Sequence, residues 1–352
     1  SIDSLEKWDV TFYSEMYKKF KYHIDQEELK TYFSLNNVLN GAFIISNKLY
    51  GLKFKKVSNI DTYNEEVNTY EVRDEKNSFV ALLYTDFHPR EGKRGGAWMT
   101  AYKSQYIYNN NNERPHISIV CNFTRPIKNK PSLLTFNEVT TLFHEFGHAL
   151  HGILANTKFK SLSGTNVSWD FVELPSQIFE NWCYEKEALN LFAFHHKTKD
   201  LIPIELIQKI KNSANFNQAS QTLRQLSFAI LDMNWHNCNP IKVKSVKNYE
   251  AKILERLTFT KDLHQTCMST SFSHIFQGGY SAGYYSYKWA EVLDADAFEY
   301  FKEKGIFNKT IASKFKNNIL SKGGTEDPMD LYIKFRGRKP TISALLKRSS
   351  IS

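Results

Sequence analysis

Two histidines four positions apart in an apolar run constrain the fold of this chain more than any other feature. Residues 140–150 read Thr-Thr-Leu-Phe-His-Glu-Phe-Gly-His-Ala-Leu, a helix-compatible segment. Positions four apart on a helix differ by about 40° around its axis, so His144 and His148 project from one face and can bind one metal ion. Glu145 lies beside that face, where its carboxylate can deprotonate a water molecule. The alternative is an accidental pair of core or surface histidines.

Gly147 adds a second expectation for the same helix. Glycine inside a helix costs about 1 kcal/mol relative to alanine because it loses more conformational freedom on folding. Its position next to His148 therefore predicts that another backbone or a substrate passes close to the helix here.

A candidate third ligand follows the histidine pair. A catalytic zinc ion takes three protein ligands and leaves a fourth position open for water. Glu173 follows His148 by 25 positions, with Phe171, Val172 and Leu174 around it. A carboxylate among apolar neighbours is costly to bury unless it is paired or coordinated, which favours Glu173 as the ligand. The alternative is an exposed glutamate at a helix start, since a proline two residues later suits a first helical turn.

The rest of the chain is predicted to be mainly helical, with one small sheet. Apolar residues recur every three or four positions in residues 1–75, which predicts helices. Residues 78–123 contain short, partly alternating runs separated by turn residues, which predict hairpin-linked antiparallel strands. We expect residues 134–190 to hold the two metal-binding helices, and residues 200–352 to be helical. The pattern shows no repeat and no low-complexity linker, so a single domain over 1–352 is the simplest organisation.

Composition excludes several classes of protein. The four cysteines form no CxxC pair, which argues against a thiolate metal site or a disulfide framework. The net charge is +9, but the lysines are scattered and no recognition motif accompanies them, so we expect no nucleic-acid partner. No run approaches the roughly 18 apolar residues of a membrane span, so we expect no membrane partner. Residues 1–10 lack the pattern of a signal peptide, so a cytoplasmic location is expected, although the natural N-terminus is not visible.

The motifs resemble one family of zinc peptidases. They are His-Glu-Phe-Gly-His at 144–148, Gly-Thr at 164–165, Asp-Phe-Val-Glu-Leu-Pro-Ser-Gln at 170–177 and Glu-Asn-Trp at 180–182. Together they resemble the thimet oligopeptidase, oligopeptidase A and peptidyl-dipeptidase family. Residues 271–289 and 335–340 are similar to its bacterial oligopeptidase A and peptidyl-dipeptidase branches more than to the thimet branch. The resemblance implies a helical zincin-type catalytic domain with a small antiparallel sheet beside the active-site cleft. It also implies one Zn²⁺ ion with Glu173 as third ligand, and Glu145 as general base.

A glycine- and tyrosine-rich segment extends the resemblance towards the C-terminus. Residues 271–289 are similar to the family's active-site loop, and by position His274, Tyr280 and Tyr287 match residues that contact substrate and stabilise the tetrahedral intermediate. Phenols with a pKa of about 10 remain protonated at neutral pH and can donate hydrogen bonds to an oxyanion. For Tyr284 and Tyr285, core packing and function are equally open.

Three further expectations concern the surroundings of the site. A zinc-bound histidine normally donates its other N–H to an acceptor, and Asp170 and Glu180 are both candidates. An edge near residues 95–98 can align an extended peptide by strand addition. His151, His195, His196 and His236 are expected to be ordinary core or surface histidines.

The resemblance covers the whole chain but only the C-terminal, catalytic half of a usual family member. The family's N-terminal helical region is absent from the residues given. The function implied is zinc-dependent hydrolysis of short peptides, by an oligopeptidase or a peptidyl-dipeptidase. The alternative is a catalytic half that is active only with a separate N-terminal domain or partner chain.

Overall fold

The computed structural model describes residues 5–128, 130–257 and 266–350, and it is mainly helical there, as predicted. Its α-helices are α1 (Asp9–Tyr22), α2 (Gln26–Leu29), α3 (Leu35–Tyr50), α4 (Phe136–Ile153), α5 (Trp169–Val172), α6 (Leu174–Glu180), α7 (Lys186–Leu189), α8 (Ile204–Ser213), α9 (Gln218–His236), α10 (Val246–Leu254), α11 (Ser273–Phe276), α12 (Ser286–Lys304), α13 (Lys309–Phe315), α14 (Pro328–Arg336) and α15 (Ser343–Arg348). Short 3₁₀ helices lie at Lys30–Tyr32, Lys160–Leu162, Asn181–Tyr184, Pro240–Lys242 and Met268–Thr270, and a π-helical turn at Lys316–Leu320.

The strands form a five-stranded sheet and a separate hairpin. They are β1 (Lys53–Val57), β2 (Asn68–Arg73), β3 (Phe79–Asp86), β4 (Trp98–Lys103), β5 (Tyr106–Tyr108), β6 (Asn111–Glu113) and β7 (His116–Val120). The order in the larger sheet is β1-β2-β3-β7-β4, so β4 lies at an edge. Strands β5 and β6 pair antiparallel and form the hairpin.

Two details of the predicted sheet were wrong. The region 1–75 is not helical throughout, because β1 and β2 lie within it. These strands have five and six residues, too short for their alternation to stand out from a helical pattern. The sheet is also mixed rather than antiparallel, since β7 pairs parallel to β3 and antiparallel to β4. Strand order depends on contacts distant in sequence, which local turn signals do not report.

The single-domain organisation over residues 1–352 stays a prediction. Residues 1–4, 129, 258–265 and 351–352 of that range lie outside the described residues.

Helix α4 lies at the centre of the main hydrophobic core. It begins with a capping box, in which Thr135 and Glu138 each accept a hydrogen bond from the other's backbone N–H. Its apolar side chains pack against β7 and β4 of the sheet and against α6. Val139, Phe143 and Phe146 are completely buried. The histidine pair therefore lies on a helix whose other side chains are mostly buried in the core.

A smaller hydrophobic cluster lies apart from this core and joins α9, α10 and the segment around α11. Leu231, Leu254, Phe272 and Ile275 are its buried members, and Phe228 and Tyr284 pack against them. The glycine- and tyrosine-rich loop between α11 and α12 is thus attached to α9.

Two further observations bear on composition. The four cysteines are free thiols, with Cys121 and Cys183 buried. Within the described ranges, no helix has the length and apolarity needed to cross a bilayer.

Candidate active site

Helix α4 presents the two predicted histidines on one side. The rings of His144 and His148 lie 5.0 Å apart, centroid to centroid, and are nearly perpendicular. Both ring Nε2 atoms point towards the carboxylate of Glu173. The helix thus supplies two nitrogen donors to one small volume.

A close approach of two backbones brings Glu173 to the histidines. Glu173 lies between α5 and α6, and a Cβ atom at Gly147 would stand 2.2 Å from the carbonyl oxygen of Pro175 and 2.6 Å from the Cα of Ser176. Only glycine lets α6 pass this close to α4, so the backbone approach predicted from Gly147 is present. Glu173 is 2% exposed, which excludes the alternative of an exposed glutamate at a helix start.

The three side chains form a compact donor set. Glu173 Oε2 lies 3.2 Å from His144 Nε2 and 3.1 Å from His148 Nε2. Four ligands around a metal ion at bond lengths of about 2.1 Å form a tetrahedron with edges of about 3.4 Å, close to these separations. The donor atoms of His144, His148 and Glu173 all lie within 4.8 Å of one another, so the three residues can hold one metal ion.

Hydrogen bonds hold the Glu173 carboxylate in place. The Ser176 hydroxyl donates to Oε2 at 2.8 Å, and the Tyr280 hydroxyl donates to Oε1 at 2.5 Å. Burial opposes ionisation of Glu173, but the nearby imidazoles outweigh it, so the pKa of its carboxyl lies well below the usual range. The carboxylate is thus ionised, as a metal ligand must be.

Glu180 is the acceptor that orients His144. Its Oε1 lies 2.7 Å from His144 Nδ1, so that nitrogen donates to Glu180 and Nε2 is the ring atom left to bind a metal ion. Asp170, the other candidate, instead accepts a hydrogen bond from the Tyr285 hydroxyl at 3.0 Å. Among the described residues, the buried Nδ1 of His148 has no hydrogen-bond partner.

Glu145 lies next to the donor set on α4 and is 6% exposed. Burial raises the pKa of its carboxyl above the usual glutamate value. A carboxylate of raised basicity beside a metal site is suited to accepting a proton from water.

The loop between α11 and α12 and the first turn of α12 bring two predicted tyrosines, Tyr280 and Tyr287, to this site. The rings of Tyr280 and Tyr287 stack with centroids 5.0 Å apart, and Tyr280 bonds directly to Glu173. Burial and the charge of Glu173 raise the pKa of both phenols, so both remain hydrogen-bond donors at neutral pH. His274 is exposed, with its ring 6.2 Å from that of Tyr280. This region thus combines a buried phenol, Tyr280, and a half-buried one, Tyr287, with a solvent-facing imidazole.

Three other sequence expectations have a defined place in the structure. Tyr284 packs into the small cluster, whereas Tyr285 is 44% exposed. His151 is completely buried, and burial lowers its pKa to about 3, which fits a neutral core histidine. The segment before Trp98 leads into the edge strand β4, and Asn122 donates to the backbone carbonyls of Arg94 and Gly96.

Sequence reasoning did not find Asp232. This residue of α9 is completely buried and accepts two backbone hydrogen bonds from the tyrosine-rich loop. It lies about 50 positions before the residues it contacts, and no local pattern marks it. Its role depends on a tertiary contact.

Sequence comparisons with known proteins all indicate the same peptidase family. The profile described as Peptidase family M3 matches residues 1–351. The chain is 43% identical over 359 residues to oligopeptidase A of Escherichia coli (strain K12), an alignment that covers 99% of this chain and 52% of that protein. It is 38% identical over 353 residues to dipeptidyl carboxypeptidase of the same strain, covering 99% of this chain and 51% of that protein. The chain spans about half the length of the curated relatives it matches.

A solved structure extends the likeness of fold to a distant peptidase. The M32 carboxypeptidase from Deinococcus radiodurans R1 superposes with a TM-score of 0.51 at 13% identity, covering 91% of this chain and 59% of that one. At this identity the likeness concerns the fold alone.

Proposed function

Because this chain belongs to peptidase family M3, we propose that it is a zinc metallopeptidase that hydrolyses peptide bonds in short peptides. The observation that carries the proposal is the convergence of His144, His148 and Glu173, with Glu145 beside them. Two imidazoles and one carboxylate are a donor set typical of catalytic zinc, with the fourth position left for water. When bound, the ion supplies a Lewis acid that polarises the scissile carbonyl.

The chain's own residues supply the proton transfers and the hydrogen bonds. Glu145 takes a proton from the attacking water and hands it to the leaving amine. The hydroxyl of Tyr287, with that of Tyr280 or the imidazole of His274, donates a hydrogen bond to the oxyanion that develops on the carbonyl. Glu180 keeps His144 in the tautomer that can bind the metal.

The substitution Glu145→Gln tests this assignment. The amide has nearly the same shape but cannot accept the proton, so turnover of a fluorogenic peptide should fall by about 10²- to 10⁴-fold. Zinc content, measured by mass spectrometry of the purified protein, should stay at one ion per chain. Glu187→Gln, at an exposed position of α7, is the matched control and should leave both quantities unchanged. Near-wild-type turnover of Glu145→Gln would refute the mechanism.

The substrates we propose are short, extended peptides that bind along β4. Among the strands that the structure describes, none pairs with the outer edge of β4, so its backbone can add a substrate strand. Substituting Ala97 by Pro removes one N–H just before β4 and should raise KM, whereas an unchanged KM would count against strand addition.

The relatives include both an oligopeptidase and a dipeptidyl carboxypeptidase. Incubation with a peptide and its C-terminally amidated twin, followed by mass analysis of the products, separates the two activities. Only a dipeptidyl carboxypeptidase should lose activity on the amidated peptide.

A second candidate function is that of a catalytic half that requires an N-terminal half supplied by another chain or segment. Helix α1 favours it, because none of its residues is buried. Trp8, Phe12, Met16 and Phe20 recur every fourth position and are 54–77% exposed, which makes one apolar stripe. The curated relatives are about twice as long as this chain, so we propose that the stripe binds the N-terminal half of an M3 peptidase.

Mixing experiments test this second candidate. The part of E. coli oligopeptidase A that precedes its aligned region serves as the partner, with binding followed by sedimentation and turnover measured with and without it. Replacing Phe12 and Phe20 by Ser should abolish binding. Ile241→Ser, at an exposed apolar position away from α1, should leave binding intact. Full activity of the chain alone, together with no complex, would refute this candidate.

A further inference from the structure

The tyrosine-rich loop is held by one buried carboxylate on α9. Asp232 is completely buried, and its two oxygens accept hydrogen bonds from different backbone N–H groups of the loop. Oδ1 accepts from Ala282 N at 2.9 Å, and Oδ2 accepts from Tyr284 N at 2.8 Å. Charge-assisted bonds of this kind are stronger than neutral ones, so a single side chain fixes the middle of the loop.

The loop conformation needs this support. Ala282 has a φ of +53°, a left-handed conformation that residues with a Cβ atom rarely adopt. Such a conformation persists only where surrounding contacts determine it. The bond from Ala282 N to Asp232 is such a contact. His236, one turn further along α9, lies beside the same residue, with Nδ1 2.9 Å from the backbone carbonyl oxygen of Asp232 and 2.8 Å from its Oδ1.

The two bonded residues lie between the tyrosines that face the metal ligands. Tyr280 precedes Ala282 by two positions and donates its hydroxyl to Glu173, and Tyr287 follows Tyr284 by three positions and stacks on Tyr280. Around the carboxylate, Phe228 of α9 packs edge-on against Tyr284, with centroids 5.6 Å apart. The loop is thus tied to α9 by both charge and packing.

We propose that Asp232 is a positioning residue that sets the distance of Tyr280 and Tyr287 from the reacting carbonyl. Asp232 does not touch the metal ligands itself, and it acts through the loop backbone. The inference rests on the proposed peptidase function for its kinetic consequence, but the placement of the loop can be measured without any substrate.

The substitution Asp232→Asn keeps the size of the side chain and removes its charge. An amide offers one acceptor oxygen, and its NH₂ group then faces a backbone N–H that has lost its partner. The loop should relax and move the tyrosines by a fraction of an ångström or more. We expect kcat to fall by about 10- to 100-fold, because small displacements of groups that act in the transition state reduce turnover steeply. KM should change by less than about twofold, since the loss concerns the transition state.

Glu250 offers a matched control in the same small cluster. It too is a buried carboxylate that accepts two backbone hydrogen bonds, from Met268 N at 2.8 Å and Ser269 N at 2.6 Å. These bonds hold a segment that precedes α11, and they do not involve the tyrosine-rich loop. Glu250→Gln should therefore destabilise the cluster to a similar degree, as seen in thermal unfolding, and leave kcat within about twofold of the wild type.

Trp169 reports on the loop independently of activity. Its ring lies 4.5 Å from that of Tyr280, centroid to centroid, and its side chain covers Gly279. Acrylamide quenching of tryptophan fluorescence is measured for the wild type and for each variant, with and without the additional substitution Trp169→Phe. The difference between the two measurements gives the contribution of Trp169. Quenching of Trp169 should increase in Asp232→Asn and stay at the wild-type level in Glu250→Gln.

The outcomes separate this inference from the proposed function. A fall in kcat together with increased quenching, both confined to Asp232→Asn, supports the positioning role. Equal losses in both variants, or unchanged quenching in Asp232→Asn, overturn it. If the wild type cleaves no peptide on its own, the first proposed function fails and the second candidate function is left. The quenching comparison alone still decides whether Asp232 places the loop.

Discussion

Gly147 makes a sharp test of how this site is assembled. A Cβ atom at this position would stand 2.2 Å from the carbonyl oxygen of Pro175 and 2.6 Å from the Cα of Ser176. Both are backbone atoms of α6, which cannot rotate away as a side chain can. The substitution Gly147→Ala therefore has to separate α4 from α6, and Glu173, directly before α6, has to move with it.

The size of the effect follows from these distances. To bring the new Cβ atom to an ordinary distance of more than 3 Å from the Pro175 oxygen, α6 has to move away from α4 by about 1 Å. If Glu173 moves with α6, its separations of 3.1 and 3.2 Å from the two histidines open to about 4 Å. Overpacking of this kind costs about 1–3 kcal/mol, and the better helix propensity of alanine offsets about 1 kcal/mol of it. We expect a loss of up to about 2 kcal/mol in the free energy of unfolding. Zinc affinity should fall by about 10- to 100-fold, as when a supporting group of a metal site is removed.

Chemical denaturation of the metal-free protein and competition with a chromophoric chelator measure the two quantities. Gly152→Ala is the control, because it lies on the same helix and gains the same propensity. Its Cβ would stand 2.6 Å from Cδ1 of Ile117, the flexible end of a side chain that can turn aside. Equal zinc affinities for the two variants would refute the reasoning that the backbone contact at Gly147 positions Glu173.

Two further predictions concern charged groups. Glu180→Gln keeps an acceptor for His144 but removes the charge, so zinc affinity should fall by about 10-fold in the chelator assay, whereas Asp170→Asn should not change it. Burial raises the pKa of the Asp86 carboxyl, but hydrogen bonds from Arg90 and Lys93 outweigh it and lower that pKa to about 2. A lowered pKa stabilises the folded state above the unfolded value of about 3.9, and this stabilisation, about 2 kcal/mol, is lost as pH falls towards 2. Urea unfolding at pH 6 and pH 2.5 measures the fall in the free energy of unfolding between the two pH values. This fall should be larger in the wild type than in Asp86→Asn by the contribution of Asp86. Equal falls in the two proteins would contradict the prediction.

Much of the site could be predicted from local sequence. The spacing of His144 and His148 specifies a shared helix face, because the helical repeat is the same in every protein. Gly147 indicated a close backbone, since glycine is costly in a helix and is kept where no Cβ atom fits. Glu173 could be proposed from its apolar neighbours, although those neighbours alone left an exposed glutamate possible.

The sheet shows where local reasoning ended. The runs around β3, β4 and β7 were recognisable as strands, but the parallel pairing of β3 with β7 was not. Strands β1 and β2 were assigned to a helical region, because five or six residues carry too little periodicity to decide. Pairing partners depend on which surfaces meet after the chain has folded.

The sequence by itself determined the chemistry available here: two imidazoles on one helix face, a carboxylate beside them, and phenols in a glycine-rich loop. Only the tertiary structure decided which distant groups control that chemistry. Glu180 and not Asp170 orients His144, and Asp232 of α9 holds the loop that carries Tyr280. The physical reason is that covalent geometry sets contacts within a helix, whereas contacts between elements depend on how the whole core packs.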